Sequence, residues 1–142
     1  MRAVIAAAFI ALAASPLLAQ TTPVTLLPGE IKYAPLPFAQ GVDAAWLTGG
    51  PTAEGAYTVR VRMTRDARIP PHTHPDTRQV TVLSGELHAG QGTAFDANAV
   101  KAYPAGTFFT VPAGAPHFVW AKNGEAIYQE SGVGPSPTAL IK

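Results

Sequence analysis

The sequence predicts an all-β protein, built as a small antiparallel sandwich or barrel. Short segments that alternate between apolar and polar residues are separated by turn-forming residues at regular intervals. Glycine and proline are abundant, with 13 and 14 residues, and they are scattered along the chain. No segment reaches the length of a stable amphipathic helix. Regularly spaced short strands of this kind favour antiparallel sheets over helical packing.

The first 19 residues have the pattern of a secretory signal peptide. Arg2 precedes an apolar run over residues 3–14, and small residues follow up to Ala19, where we expect cleavage. The run is shorter than the roughly 20 residues that a membrane-spanning helix needs. An uncleaved anchor is the alternative. We therefore predict a periplasmic or secreted protein with no membrane contact after cleavage.

The charge balance and the residue types limit the partners. Of the 10 basic and 9 acidic side chains, nine and nine remain once Arg2 is removed. A neutral chain without a basic run has no electrostatic footprint for nucleic acid. The chain has no cysteine, so any bound metal must be held by nitrogen and oxygen ligands.

Two regions are predicted to follow the leader. Residues 20–55 are rich in proline and glycine and are expected to form an N-terminal arm with edge strands, including the apolar pieces at 24–27 and 44–47. Residues 56–142 are expected to form the barrel domain. Its clearest strand is 57–63, because Tyr57, Val59, Val61 and Met63 alternate with polar residues.

Further strands and turns are predicted along the barrel domain. The strand candidates are residues 79–83, 86–90, 107–111, 117–121 and 126–130. Asn123-Gly124, between two apolar runs, predicts a β-hairpin. Residues 95–102 are expected to form at most one helical turn. Alternation places Phe118 and Trp120 opposite His117, where we expect them to pack against the arm or a partner subunit. His88 is expected on the surface.

Two histidines follow a proline pair in "IPPHTH". His72 and His74 are two residues apart, so an extended strand points both to the same face. Pro70 and Pro71 favour extended backbone just before them. Two imidazoles on one face can share a metal ion, and a pair of solvated histidines is the alternative.

A second stretch, "GTFFTVPAGAPH", contains a third histidine, His117. Together the two stretches resemble the two motifs of the cupin superfamily. The first motif, G-x5-H-x-H-x3,4-E-x6-G, is matched by His72, His74 and Gly85. The second motif, G-x5-P-x-G-x2-H-x3-N, is matched by Gly106, Pro112, Gly114 and His117. The resemblance covers roughly residues 57–130 and is closest to small single-domain bacterial cupins.

The resemblance implies a fold and a cofactor. The fold is a small antiparallel β-barrel, the double-stranded β-helix or jelly roll, in which His72, His74 and His117 converge on one divalent metal ion. Iron, manganese, nickel, zinc and copper are the metals commonly found in such sites. The resemblance also implies a homodimer as a candidate assembly.

The resemblance also places a glutamate ligand where this chain has Arg78, or Gln79 with the longer spacing. Arginine stays protonated and cannot coordinate a metal. Three arrangements remain open. The three histidines bind the metal alone, or Gln79 or a water completes the shell, or the site has lost its metal and Arg78 pairs the anionic group of a small-molecule ligand.

These arrangements lead to two classes of function. The first is a metal-dependent enzyme, a dioxygenase or an isomerase, that acts on a small organic molecule. The second is a non-catalytic sensor or carrier that binds a small molecule or a metal. A purely structural barrel is a third possibility. No residue outside the proposed ligands identifies itself as a general base, and the fold hosts all three classes.

Overall fold

The computed structural model describes residues 22–142, so the predicted signal peptide lies outside the described residues. Within them, a 3₁₀ turn at Pro28–Glu30 precedes eleven strands. The strands are β1 (Ala34–Pro35), β2 (Val42–Thr48), β3 (Gly55–Met63), β4 (Arg68–Thr73), β5 (Arg78–Ser84), β6 (Glu86–Gln91), β7 (Lys101–Pro104), β8 (Phe108–Val111), β9 (His117–Trp120), β10 (Ala126–Gly134) and β11 (Ala139–Leu140). Over this range no helix has the length and apolar character that crossing a membrane requires.

The strands form two antiparallel sheets with the core between them. Sheet A has the order β1-β2-β3-β10-β5-β8, and sheet B has the order β11-β4-β9-β6-β7. From β3 onward each connection crosses from one sheet to the other, except for the β6–β7 hairpin. This is an antiparallel jelly roll, which confirms the predicted all-β barrel.

The core is built from alternating residues of both sheets. β3 pairs with β10 along its whole length, from Gly55 opposite Gly134 to Met63 opposite Ala126. The predicted alternation in β3 is confirmed, because its apolar residues are buried and its polar residues are partly exposed. Ile69, Leu87 and Val119 of sheet B complete the same cluster. The apolar inner faces thus hold the two sheets together.

A bulge in β4 sets the position of the first histidine. Ile69 pairs with Val119 and His72 pairs with His117, so β4 has one residue more than β9 between these pairs. The extra residue falls at Pro70-Pro71. Proline cannot donate to the ladder, and a bulge is one of the few places where a sheet tolerates it. The bulge brings Ile69 and His72, three positions apart, onto the same buried side.

Two local predictions differ from the structure. Asn123-Gly124 joins β9 of sheet B to β10 of sheet A, so it forms a corner between sheets and not a hairpin. The chain bends at these two residues, but alternation does not tell which sheet the next strand joins. Residues 95–100 contain one hydrogen-bonded turn, in which the Ala99 N–H donates to the Asp96 carbonyl at 3.1 Å, but the predicted range is too long, because Lys101 begins β7, which pairs with β6.

The two apolar pieces predicted in the N-terminal arm differ in structure, and one C-terminal strand was not predicted. Residues 24–27 are exposed and irregular, whereas residues 44–47 lie inside β2, which pairs with β3. The short strand β11, which the sequence did not predict, pairs with β4 so that Leu140 lies opposite His72.

The outer face of sheet B is covered by a segment of the same chain. Phe95, between β6 and β7, contacts Phe118 and Trp120 with ring centroids 5.0 Å and 5.7 Å apart. The Arg68 guanidinium lies 4.4 Å from the Phe95 and Trp120 ring centroids. The expectation that Phe118 and Trp120 pack against the arm is therefore wrong. His88 lies under the same cover and is 5% exposed, so its predicted surface position is also wrong.

Candidate metal centre

Three histidines meet inside the barrel, where β4 ends and β9 begins. His72 lies in β4, His74 directly follows that strand, and His117 is the first residue of β9. All three are buried, and one donor nitrogen of each lies within 4.8 Å of the others. The ring centroids are 4.1 Å apart for His72 and His117, and 4.8 Å apart for His72 and His74. The structure thus brings together the three residues that the sequence offered as metal ligands.

Each imidazole is oriented by a backbone carbonyl. The Nδ1 atoms of His72, His117 and His74 lie 2.7, 3.0 and 3.3 Å from the carbonyl oxygens of Pro70, Ala115 and Pro137. Because a carbonyl only accepts, Nδ1 carries the hydrogen in each ring, and the Nε2 lone pair is free for a ligand. Nε2 of His74 is buried without a hydrogen-bond partner. A buried lone pair left in this way fits a metal ligand.

The histidines are held in the neutral form that metal binding requires. Burial lowers the pKa of His72 to about 4, and the neighbouring His117 contributes to the same shift. Burial lowers the pKa of His74 to about 3, with a further contribution from the Arg78 charge. Burial also lowers the pKa of His117. At neutral pH, protons therefore do not compete for these nitrogens.

The donor set fits a divalent ion with a small adjustment. Two nitrogens bound to one zinc ion at about 2.0–2.1 Å lie at most about 4.2 Å apart. The 4.8 Å span of the donor atoms therefore has to close slightly, which a rotation of the rings can supply. Three neutral imidazoles leave the remaining coordination positions open to water or a ligand.

Arg78 occupies the position at which the family motif has a metal-binding glutamate. Its side chain is buried, and Nη1 donates to Glu130 Oε2 at 2.5 Å. Nη2 donates to Ser136 Oγ at 2.8 Å and to the Ser136 carbonyl at 3.2 Å. Nε lies 3.9 Å from Asp76 Oδ1. The carboxylates of the protein itself therefore neutralise this cation, so the repulsion of a nearby metal ion is reduced.

Two sequence-based roles need correction. Arg78 is not free to pair a ligand anion, because Glu130 and Ser136 already occupy its guanidinium. Gln79 does not reach the histidines, because it lies on the exposed face of β5 while Arg78 and Val80 face inward. Strand alternation is unbroken at this point, so the register shift that would turn Gln79 inward is absent from β5 as described.

Asp76 and Arg78 also hold the C-terminal segment, residues 135–140, across the site through hydrogen bonds to Ser136. Asp76 accepts hydrogen bonds from Ser136 Oγ at 2.5 Å and from Tyr57 Oη at 2.8 Å. Arg78 holds Ser136 from the other side, and the next residue, Pro137, supplies the carbonyl that orients His74. Arg78 therefore contributes to the histidine cluster indirectly, by holding the backbone that positions one of its members.

The sequence analysis missed Glu130, Asp76 and Ser136. A signal for Glu130 was available, because Ala126, Tyr128 and Glu130 alternate on the inner face of β10. A carboxylate at a buried position needs a positively charged partner, and Arg78 was the cation that the motif placed inside the barrel with no assigned counter-ion. Asp76 and Ser136 lie in the irregular connections β4–β5 and β10–β11, where the sequence carries no periodic signal.

A cavity of about 360 Å³ lies between the sheets beside His117. Its floor consists of buried residues, namely Val80, Leu87, His117, Val119, Tyr128 and Glu130. Its rim consists of exposed residues, namely Gln91, Ala99, Lys101 and Thr110. The half-buried rings of Tyr103 and Phe109 stack with centroids 4.4 Å apart. Such a cavity is large enough for a small organic molecule next to His117, the one member of the histidine cluster in its lining.

Comparison with known proteins agrees with this geometry. The cupin sequence profile matches residues 51–139, which is more than half of the chain. The chain belongs to the cupin family. No curated protein matches it in sequence.

The cupin fold is also found among the solved structures that resemble this chain. The polyketide cyclase RemF from Streptomyces resistomycificus has a TM-score of 0.72 at 16% identity, over 85% of this chain and 87% of that one. KdgF from Halomonas sp. has a TM-score of 0.63 at 16% identity, over 79% and 94%. A single-site variant of oxalate decarboxylase from Bacillus subtilis has a TM-score of 0.59 at 16% identity, over 75% and 28%. These identities establish the shared fold alone.

A glycine of the second cupin motif makes a backbone hydrogen bond to a histidine of the first motif. Gly114, a motif glycine, has a φ of +71°, which L side chains rarely adopt. In that conformation its N–H donates to the His74 carbonyl at 2.8 Å.

Asp66 stands where the first motif has glycine, and it has a φ of +65°. Aspartate tolerates this left-handed region better than most residues, so the turn is retained.

Proposed function

We propose that this cupin binds one divalent metal ion through His72, His74 and His117 and acts as a metal-dependent enzyme on a small organic molecule. The observation that carries the proposal is the set of three buried, neutral imidazoles, each oriented through Nδ1 by a backbone carbonyl. The nearby cavity of about 360 Å³ supports a small organic ligand.

A bound metal would supply a Lewis acid at His72, His74 and His117, able to polarise a ligand oxygen or to activate water. The residues of the chain have separate roles. The histidines hold the ion, and the carbonyls of Pro70, Ala115 and Pro137 fix their tautomers. Leu87, Val119 and Phe109 exclude water from the reacting end of the cavity. A dioxygenase or an isomerase is the reaction class compatible with these open positions.

A non-catalytic carrier or sensor is the second candidate. Glu130 is the carboxylate that the described cavity lining presents, and it is bound to Arg78. It is therefore not free to act as a general base, which favours binding without turnover.

Metal analysis of protein purified without a histidine tag tests the metal site. We expect close to one divalent ion per chain, and little metal in His72→Ala and His117→Ala. His88→Gln is the matched control, because it removes a histidine outside the cluster. Metal content that is unchanged in the two cluster variants would contradict the proposal, as would wild-type protein that neither contains nor takes up a divalent metal.

Turnover separates the enzyme from the carrier. Metal-loaded protein is incubated with a bacterial periplasmic extract, and mass spectrometry follows the small molecules. Compounds consumed by the wild type and spared by His117→Ala support the enzyme. A compound that is retained by the protein and recovered unchanged supports the carrier.

A further inference from the structure

The rim of the 360 Å³ cavity carries one charged residue, and its charge is positive. Lys101 lies at the rim, and it makes no ion pair with any residue that the structure describes. Lys101 and Tyr103 lie on one face of β7, opposite Ala89 and Leu87 of β6, and all four line the cavity. The ammonium group lies 5.5 Å from the Tyr103 ring centroid. Lys101 is thus an exposed cation on the face of β7 that forms the cavity.

In the metal-free protein, the floor of the cavity has no free charge to balance Lys101. Glu130 is the acidic residue of the lining, and Arg78 neutralises it at 2.5 Å. The surrounding walls are apolar, formed by residues such as Val80, Leu87 and Val119. A ligand that fits these surroundings has an apolar body and one negative charge at the end near the rim. A second charge would have to be buried among apolar walls.

The aromatic pair in the cavity wall favours a planar ligand. Tyr103 lies on β7 and Phe109 on β8, the strands at the free edges of the two sheets. Their rings stack at an interplanar angle of 19° and join the two edges. Flat aromatic surfaces pack well against ring-containing ligands. A cavity of about 150 Å³ is sufficient for benzene, so 360 Å³ accommodates one or two fused rings with a substituent.

We propose that the cavity binds an aromatic carboxylate, with its rings between the apolar walls and the Tyr103–Phe109 pair, and its carboxylate at Lys101. This inference deepens the proposed function, because it names the ligand class of the same cavity. The contacts involved do not include the metal, so binding can be measured without it. The competing explanation is that Lys101 only protects the β7 edge from pairing with another chain.

Calorimetric titration with 2-naphthoate tests the proposal on metal-free and metal-loaded protein. We expect Lys101→Met to weaken 2-naphthoate binding by about threefold to fivefold at low ionic strength, because an ion pair with an exposed lysine contributes up to about 1 kcal/mol. Lys101→Gln repeats the test with a polar side chain, in case the apolar variant does not fold. Lys122→Met is the matched control, because Lys122 is exposed at the corner between β9 and β10, away from the cavity.

The neutral analogue 2-naphthylmethanol separates charge from shape. We expect it to bind more weakly than 2-naphthoate and to be insensitive to Lys101→Met. Equal binding of the two ligands by the wild type would overturn the proposal, and so would unchanged 2-naphthoate binding in both Lys101 variants. Increased self-association of those variants with unchanged binding would identify edge protection as the role of Lys101.

The metal-free titration keeps the two proposals distinguishable. Binding of 2-naphthoate in protein that never takes up metal would sustain the ligand class and contradict the metal site. Normal metal uptake without 2-naphthoate binding would overturn only the ligand class.

Discussion

Arg78 illustrates how one buried residue can change the electrostatics of a site. The side chain of Arg78 is 7% exposed, and its guanidinium bonds to the carboxylate of Glu130, whose side chain is 9% exposed. Removing one partner of such a pair leaves the other charge buried and uncompensated, at a cost of about 3–5 kcal/mol. Replacing both partners with apolar residues removes that penalty.

We therefore expect Arg78→Met to lower the free energy of unfolding by about 3–5 kcal/mol, and Arg78→Met/Glu130→Leu to recover much of the loss. Chemical denaturation measures both. Arg62→Met is the matched control, because Arg62 forms a partly exposed ion pair with Asp43, and its removal should change stability little. A single Arg78 variant as stable as the wild type would contradict the role assigned to the pair.

The buried histidines predict how stability depends on pH. An unfolded histidine has a pKa near 6.5, whereas His72 and His74 in the fold have pKa values of about 4 and 3. The unfolded chain therefore binds protons first as the pH falls. The free energy of unfolding is therefore unaffected by these histidines above pH 6.5 and falls progressively between pH 6.5 and about 3.

We expect the free energy of unfolding of metal-free protein to fall by an amount on the order of a few kcal/mol over this interval. Denaturation curves at several pH values measure it. His74→Gln should show a shallower dependence, because one of the responsible groups is gone. A stability that is constant from pH 6.5 to 4 would show that the histidines are not buried as described.

At the scale of secondary-structure elements, β10 and the C-terminal segment meet at Gly132. A Cβ at this position would overlap Asp76 Oδ2 and would lie 2.6 Å from Tyr57 Oη. Tyr57 Oη donates to Asp76 Oδ2, and the other oxygen of the same carboxylate, Oδ1, accepts from Ser136 Oγ. Glycine is therefore required here by close approach, not by an unusual φ.

We expect Gly132→Ala to weaken the attachment of the C-terminal segment and to lower the melting temperature. Faster backbone amide exchange in residues 136–140, measured by mass spectrometry, would locate the effect. Gly124→Ala is the matched control, because nothing lies within 4 Å of the added methyl group. Unchanged exchange in both variants would contradict the proposed attachment.

At the scale of the whole molecule, the predicted leader gives a direct test of export. We expect the mature protein, recovered from the periplasm or medium of a bacterial host, to begin at Gln20. Intact-mass measurement checks this. Ala19→Arg should impair cleavage, because the signal peptidase needs a small residue there. Full-length protein confined to the cytoplasm would contradict the prediction.

The fold and the histidines could be predicted because their signals repeat or match a specific pattern. Alternation identified β3, and the spacing of His72, His74 and His117 resembled two known motifs. β11 was missed because two residues contain no periodicity, and β7 was missed because its first two residues were assigned to the helical-turn candidate at residues 95–102. The Asn123-Gly124 corner was misread because local sequence does not encode which sheet the next strand joins.

The surroundings of the site depend on contacts between residues far apart in the chain. Arg78 meets Glu130 across 52 positions, and His74 meets Pro137 across 63. No spacing rule in one sequence indicates such pairs. The sequence therefore indicated that a cation replaces the motif glutamate, but it did not indicate that Glu130 is the carboxylate that pairs with Arg78.

The Arg78–Glu130 pair also constrains how this cupin could evolve. Restoring the motif glutamate at position 78 by a single change would place two carboxylates together in a buried space and leave Ser136 without its cation. A substitution at position 78 alone, or at position 130 alone, leaves one buried charge without its partner and destabilises the protein. We therefore expect positions 78 and 130 to change together. The histidine-only centre is thus separated from the four-ligand centre by an epistatic barrier, and reverting one residue is not enough to cross it.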